Sequence, residues 1–485
     1  MKKTTDSHYL KGLAQESFSL SKTIKVLLLN PPGEKPYLRD YYCNNISKSR
    51  YLHYPVDLLY LTGTLSSHNY EVQVLDALVK RYSVKETLQK INELKPDFIV
   101  CLVGSISWQE DKVFLSELKS LNPEIKIIGT GDVFLDEGMK TISENSFFDG
   151  CILDFSDHSI LDLLNKLQNK NGKEPIVNCI YKDNGSGPLV GQVVRTKGDF
   201  TLSMPRHEYF PLRDYKYAFS RTFPTAHLMT DFGCAFNCSF CPIRIDNLGF
   251  KVRSIDEIIK ELKYLKSLGI KELYFRDQTF GANKKRAIEL CNKMVKEGLE
   301  FSWHCFSRVD VMNEELLDAM KGSGCHTIIF GIESVNEKTL KDVQKRIDAE
   351  KIKNTFAQCK KKKIRRAATF IIGLPGETEE DIMRTVDFAI EIDCTFASFN
   401  IAGIRPGTEW SHSPEKIQFL PQEELEKIRN HAIKKFYLRP TYIISRIMEI
   451  STPYDLTVLL EEGTGIVSNL LKSVFRIQPK LVRDL

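Results

Sequence analysis

The chain has 485 residues, 42% hydrophobic and 27% charged, which excludes both a disulfide-stapled mini-domain and a disordered chain and predicts about three domains. Its 68 basic and 63 acidic residues leave a formal net charge of +5, too small a surplus to imply nucleic acid. No apolar run approaches the roughly 18 residues of a membrane span. The polar start Met1-Lys2-Lys3-Thr4-Thr5-Asp6 does not read as a secretory signal, so the expected location is cytoplasmic.

After a polar tail over 1–22, Lys25-Val26-Leu27-Leu28-Leu29-Asn30 runs into Pro31-Pro32-Gly33 and reads as a buried strand closed by a loop. Strands are predicted at 70–75, 97–103, 126–129 and 151–153, with helical spacing between them at 57–61, 85–94, 112–121 and 160–167. Five strands alternating with helices predict a doubly wound parallel sheet over 23–177, with its ligand beyond the carboxyl ends of the strands. Residues 178–225 are irregular, carry the turn Asp183-Asn184-Gly185-Ser186-Gly187-Pro188, and are predicted as a linker with minor strands. A second alternating array spans 226–413. It opens with a strand at 226–230, a cysteine-bearing loop, and a helix whose start, Ser254-Ile255-Asp256-Glu257, reads as a capping box. Strands follow at 272–275, 301–306, 327–332, 367–372 and 398–401, and helices at 284–296, 314–320, 351–361 and 379–390. Six βα units predict a partial α/β barrel, in which functional groups stand on the loops after the strands. Residues 414–485 show helical patterns at 423–436, 442–450 and 455–460 and are predicted as a helical C-terminal domain.

Twelve cysteines are present. In a reducing compartment their spacing points to metal or redox chemistry before disulfides. Nine are scattered, but Cys234, Cys238 and Cys241 share one loop directly after a predicted strand. Their spacing could place three sulfurs on one helical face, while Gly233 before and Pro242 after favour a wrapped loop that lets three thiolates converge on a soft metal centre. A structural zinc site closes with four ligands, and the next cysteine, Cys291, lies within the predicted helix at 284–296. An iron-sulfur cluster on three cysteines keeps one iron open for an outside ligand, which suits catalysis.

Cys234-x-x-x-Cys238-x-x-Cys241, with the aromatic Phe240 before the third cysteine, resembles the signature of radical S-adenosylmethionine (SAM) enzymes. The resemblance implies that these three cysteines are catalytic ligands of a 4Fe-4S cluster, whose open iron binds SAM and whose reduced form cleaves it to a 5'-deoxyadenosyl radical. It also implies cofactor contacts in strand order. Asp277 after the second strand would face the SAM amino group, and Ser307 and Arg308 after the third its ribose and carboxylate. Glu333 follows the fourth strand. Gly373 and Pro375, in Gly373-Leu374-Pro375-Gly376-Glu377-Thr378, follow the fifth, where glycines allow close backbone approach. Each position also has a plain structural reading: a turn or cap aspartate at Asp277, an ion pair at Glu333, a turn capped by Thr378.

The stretches Asn30-Pro31-Pro32, Pro55-Val56-Asp57-Leu58-Leu59-Tyr60-Leu61, Val74-Leu75-Asp76 and Lys95-Pro96-Asp97-Phe98-Ile99-Val100 are similar to the Rossmann-like, cobalamin-binding domain that precedes the barrel in one radical SAM subgroup. That subgroup includes cobalamin-dependent methylases and the anaerobic magnesium-protoporphyrin ester cyclase-like enzymes. The resemblance covers about residues 23 to 465. It implies cobalamin, a small-molecule substrate, methyl transfer to an unactivated carbon, and an electron donor such as flavodoxin or ferredoxin. Two departures stand out: no Asp-x-His-x-x-Gly occurs, and Asp154-Phe155-Ser156-Asp157-His158-Ser159 replaces a glycine-rich acidic segment. Radical cyclisation or rearrangement without methyl transfer is the nearest alternative. A zinc or iron-sulfur binding module without catalysis is the alternative of another class. The array also resembles tRNA methylthiotransferases, but their second cluster needs grouped N-terminal cysteines, and here Cys43, Cys101, Cys151 and Cys179 are dispersed.

Lys360-Lys361-Lys362-Lys363 falls at a predicted helix C-terminus, where cations complement the helix dipole, so no nucleic-acid partner is expected. The basic, aromatic stretch Lys434-Lys435-Phe436-Tyr437-Leu438-Arg439-Pro440 reads as a solvated helix face, with peripheral membrane contact as its alternative. Trp303, His304 and Cys305 are expected to pack in the barrel.

Overall fold

The computed structural model describes residues 23–47, 51–169, 175–183, 187–194 and 197–450, with Leu456, Leu459, Leu460 and Gly463 beyond them. The polar tail at 1–22, the middle of the turn at 183–188 and half of the expected helix at 455–460 lie outside the described residues.

The chain begins with β1 (Lys25–Asn30), an antiparallel hairpin of β2 (Tyr37–Asp40) and β3 (Cys43–Ile46), and α1 (Val56–Ser66). It continues through β4 (Glu71–Asp76), α2 (Val84–Leu94), β5 (Phe98–Leu102), α3 (Trp108–Leu121), β6 (Lys126–Thr130), α4 (Gly138–Glu144), β7 (Gly150–Ile152) and α5 (Ser159–Asn169). The parallel strands order as β4-β1-β5-β6-β7. Central β1 reads as a continuous apolar run because both of its faces are covered; Val26 to Leu29 are buried. The sheet does not stop at 177. β8 (Cys179–Asp183) and β9 (Gly187–Val190) add two antiparallel strands at its edge. These two strands therefore belong to the sheet and not to a linker. Their pattern concealed this because β9 is an edge strand with Gly187 and Val190 exposed, so no apolar alternation is required.

The hairpin was not anticipated. Its two-residue turn, Tyr41-Tyr42, has φ of +51 and +54, a left-handed pair usually carried by Asn and Gly. Here the surroundings hold it: the Tyr41 N–H donates to Asp57, and the Tyr42 hydroxyl accepts from the Phe155 N–H. Helix α1 is buried along nearly its whole length and around its circumference, since it lies between this sheet and the barrel. The Tyr60 hydroxyl on its far side accepts from the Met229 N–H at 2.8 Å.

Next come β10 (Lys197–Phe200), β11 (Thr225–Leu228), β12 (Asp231–Gly233), α6 (Ile245–Leu248), β13 (Phe250–Arg253), α7 (Ile255–Ser267), β14 (Glu272–Phe275) and α8 (Lys284–Lys296). They are followed by β15 (Ser302–Ser307), α9 (Glu314–Gly322), β16 (Cys325–Glu333), α10 (Glu337–Asp342), α11 (Ala349–Lys361), β17 (Arg365–Ile372), α12 (Glu379–Glu391) and β18 (Phe396–Ile401). Strands β11, β14, β15, β16, β17 and β18 pair in that order, all parallel, as six consecutive βα units require. Asn283 and Asn313 cap α8 and α9 through their side chains. Ser254 accepts from the Glu257 N–H, which is half of the expected capping box; complete boxes stand at Ser83 with Glu86 and at Thr378 with Asp381. A second small sheet, β10-β13-β12, flanks the cysteine loop.

Helices α13 (Gln422–Tyr437) and α14 (Pro440–Met448) do not stand apart as the expected C-terminal domain. Leu425, Ile428, Ala432 and Phe436 bury one face of α13 in the barrel core. The Tyr437 hydroxyl donates to the Ala397 carbonyl at 2.8 Å and accepts from its N–H at 3.2 Å, occupying hydrogen-bonding groups of edge strand β18. The helical periodicity was readable, but not what the face packs on. No helix among the described residues is long and apolar enough to cross a membrane.

Candidate active site

Antiparallel β12 and β13 bracket the loop of Cys234, Cys238 and Cys241, with Gly233 opposite Phe250. Gly233 has φ +82, and a Cβ there would lie 2.1 Å from the Gly249 carbonyl oxygen. Only glycine lets the chain double back at that distance. The Gly233 N–H donates to the Tyr41 hydroxyl at 2.6 Å, so the strained tyrosine turn of the β2–β3 hairpin supports the base of the loop.

All three cysteines are free thiols. Burial pushes the Cys234 thiol up, and Cys241 is pushed up by burial and then by the charges of Cys234 and Cys238. The three sulfurs are thus in mutual electrostatic reach, and ionising them together calls for a cation among them. Arg308 Nη1 donates to Cys238 Sγ at 3.5 Å, and its guanidinium lies 3.9 Å from the Phe236 ring centroid. Thr279 Oγ1 is 3.7 Å from Cys234 Sγ. Phe240 packs with Val343, Leu374 and Trp410 below the loop.

The other expected site residues have partners inside the chain. Asp277 is buried, accepting from the Thr230 and Asp231 N–H groups through Oδ1 and from the Thr230 hydroxyl through Oδ2. It fixes the segment that leads into the cysteine loop. Ser307 donates to the Phe280 carbonyl, tying the end of β15 to the loop after β14. Glu333 has φ +69 at a register shift in β16 and pairs with Lys345 at 3.0 Å, both side chains buried. Gly373 has φ +76, but the close approach it permits is that of Leu425, whose Cδ2 would lie 2.3 Å from a Cβ. Pro375 lies in a turn closed by the Glu377 N–H on the Leu374 carbonyl. Among the expected residues, the structure gathers Cys234, Cys238, Cys241 and Arg308 into direct contact or electrostatic reach.

Sequence reading passed over buried polar atoms on and beside this loop, among them Asn237 Oδ1 and Arg244 Nε. Asp231 Oδ1, Ser239 Oγ and Gln278 Nε2 are buried with no partner in the protein. Burial, then the neighbouring Asp277, pushes the Asp231 carboxyl well up. Such atoms call for a polar ligand or water. The only sequence signal was position, within a few residues of the cysteines or of Asp277.

The carboxyl edges of the first sheet and the barrel face each other across a seam. Beyond β18, Arg405 donates to Cys43 Sγ at 3.3 Å, to the Asn44 carbonyl and to Asn45. Buried Lys251 pairs with Asp154 at 3.0 Å, and Arg276 Nε with Asp40 at 2.6 Å. Ile106 beyond β5 and Ile404 beyond β18 are exposed on these edges.

Residues 231–389 match the Radical SAM superfamily. Over 457 residues the chain is 28% identical to a protein of Pyrococcus horikoshii named an uncharacterized methyltransferase, covering 88% of this chain and 95% of the relative. Its fold matches the radical SAM methyltransferase TsrM from Kitasatospora setae, solved with cobalamin and a [4Fe-4S] cluster, with a TM-score of 0.64 at 18% identity over 80% of this chain and 77% of that one. The cobalamin-dependent SAM radical enzyme OxsB aligns with a TM-score of 0.65 at 14% identity, over 93% of this chain and 72% of its own. The chain carries a radical SAM superfamily domain and shares its overall fold with the cobalamin-dependent radical SAM enzymes TsrM and OxsB.

Proposed function

We propose that this protein is a cobalamin-dependent radical SAM methyltransferase that methylates an unactivated carbon of a small molecule. The observation that carries the reading is a loop with three thiols, pinned between β12 and β13, at the seam with the first sheet. Three thiols on one short loop with an arginine at one sulfur suit a cluster with one open iron. The unpartnered atoms of Asp231, Ser239 and Gln278 suit the amino, carboxylate and ribose groups of SAM. The exposed Ile106 and Ile404 suit a large amphipathic macrocycle in the seam, and the loop after β1, residues 31–36, holds no histidine to ligate cobalt.

When bound, the cluster supplies one electron to SAM and cobalamin supplies the methyl group. Cys234, Cys238 and Cys241 hold the iron as thiolates, and Arg308 offsets the charge on Cys238. Asp277 and Gly233 keep the loop in place, while Phe240 and Trp410 pack beneath it. Ser307, Glu333, Gly373 and Pro375 shape the rim. A flavodoxin or ferredoxin completes the reading as electron donor.

The test is anaerobic reconstitution with methyl-labelled SAM. The expected result is about four iron atoms per chain, bound corrinoid, 5'-deoxyadenosine and labelled product, with all but the corrinoid lost in C234A/C238A/C241A. Formation of 5'-deoxyadenosine without labelled product would replace methyl transfer by cyclisation or rearrangement. Zinc without iron or sulfide would overturn the radical reading.

A further inference from the structure

Among the described residues, His227 is the one histidine whose two ring nitrogens are both buried without a hydrogen-bond partner. It stands on β11, fully buried, surrounded by the rings of His53, Tyr54, Tyr217 and Tyr274 at centroid distances of 4.8 to 5.1 Å. Such an imidazole would be costly unless something bonds to it. His53 Nδ1 is also buried without a hydrogen-bond partner. Asp40 adds a carboxylate, and one ligand atom from each of the three residues lies within 4.8 Å of the others.

Asp40 Oδ2 is 3.6 Å from His53 Nδ1 and also accepts from Arg276. A carboxylate oxygen has a second lone pair, so the arginine does not exhaust it. The arginine's charge is met by Asp40, and buried Asp57 nearby has an oxygen without a partner. The barrel floor provides a contrast. There Glu272 Oε1 faces His326 Nε2 at 2.7 Å and His304 Nδ1 at 3.4 Å, its Oε2 accepts from Thr222, and His326 Nδ1 meets the Thr327 hydroxyl. That group is satisfied by its own members and two threonines; in the Asp40 group the carboxylate accepts from Arg276 and from the Val56 N–H, but His53 Nδ1 and both His227 ring nitrogens have no hydrogen-bond partner.

We propose that Asp40, His53 and His227 bind a divalent transition-metal ion of the zinc type, at a site separate from the cysteine loop. Two imidazoles and one carboxylate are a donor set that such ions accept, with water or substrate completing the shell. Asp40 and His53 belong to the segment beside the first sheet and His227 to the barrel, so the ion cross-links the two across their seam. The His53 side chain, 16% exposed, leaves a way in.

The experiment titrates zinc into the anaerobically reconstituted, chelator-washed full-length protein and into C234A/C238A/C241A, with metal analysis and zinc-edge X-ray absorption. The expected result is one tightly bound zinc with nitrogen and oxygen ligands only, retained in the triple cysteine variant, and a raised Tm. H53A should bind it at least tenfold more weakly while keeping its cluster iron, which reports that the variant is folded. No bound zinc, a sulfur-containing shell, or H53A binding zinc like the wild type overturns the proposal. Because absorption on the unmodified chain identifies the ligands directly, a misfolded H53A leaves the test intact, and failure of the radical reading does not decide it.

Discussion

Gly233 and Tyr41 show how single residues hold the cysteine loop. The glycine permits a 2.1 Å approach that a Cβ would forbid, and the tyrosine accepts its N–H from a left-handed turn. Backbone conformations of that kind cost of order 1–3 kcal/mol and persist where packing enforces them. Glu377, in the loop after β17, provides a pH signature. Burial pushes its carboxyl up to about 7, against hydrogen bonds from the Ser334 hydroxyl and the Leu374 N–H. Over roughly pH 4.5 to 7 the folded state holds a proton that the unfolded state has released, so stability falls as pH rises through that window and then levels off. E377Q should remove that slope, worth up to about 3 kcal/mol. Urea unfolding midpoints at pH 5 and pH 8 measure it; an unchanged difference between them would refute the assignment.

At the scale of elements, packing decided what periodicity could not. The 3.6-residue spacing marked α13, but its role at the barrel edge rests on Tyr437, whose hydroxyl both donates to and accepts from Ala397. Y437F should cost about 1–2 kcal/mol, the price of leaving one strand residue's N–H and carbonyl without that partner. Chemical denaturation reads this directly, and a Tm equal to wild type would mean that water replaces the hydroxyl without loss. The parallel strands of both sheets were legible because buried parallel strands are apolar runs between turn signals. The β2–β3 hairpin was not, since Tyr-Tyr is an unusual pair for its turn and long-range bonds from Asp57 and Phe155 support it.

In the molecule as a whole, the first sheet and the barrel are joined through buried charge as well as apolar contact. Lys251 and Asp154 pair at 3.0 Å with side chains each 6% exposed. D154N should destabilise by about 3 kcal/mol because it leaves an ammonium buried without its anion, and D154N/K251M should recover part of that loss. Equal stabilities for the two variants by denaturant unfolding would show that the rings of Phe200 and Phe232 around Lys251 already compensate the charge. By itself the sequence determined the parallel α/β layers and the three-cysteine loop, because hydrophobic period, turn residues and close spacing are local properties. The tertiary structure alone decided that Asp277 anchors the loop, that Glu333 pairs with Lys345, that Gly373 makes room for Leu425, and that Asp40, His53 and His227 converge. Those outcomes depend on which distant side chains a buried polar group or an open backbone meets, and a linear spacing does not carry that information.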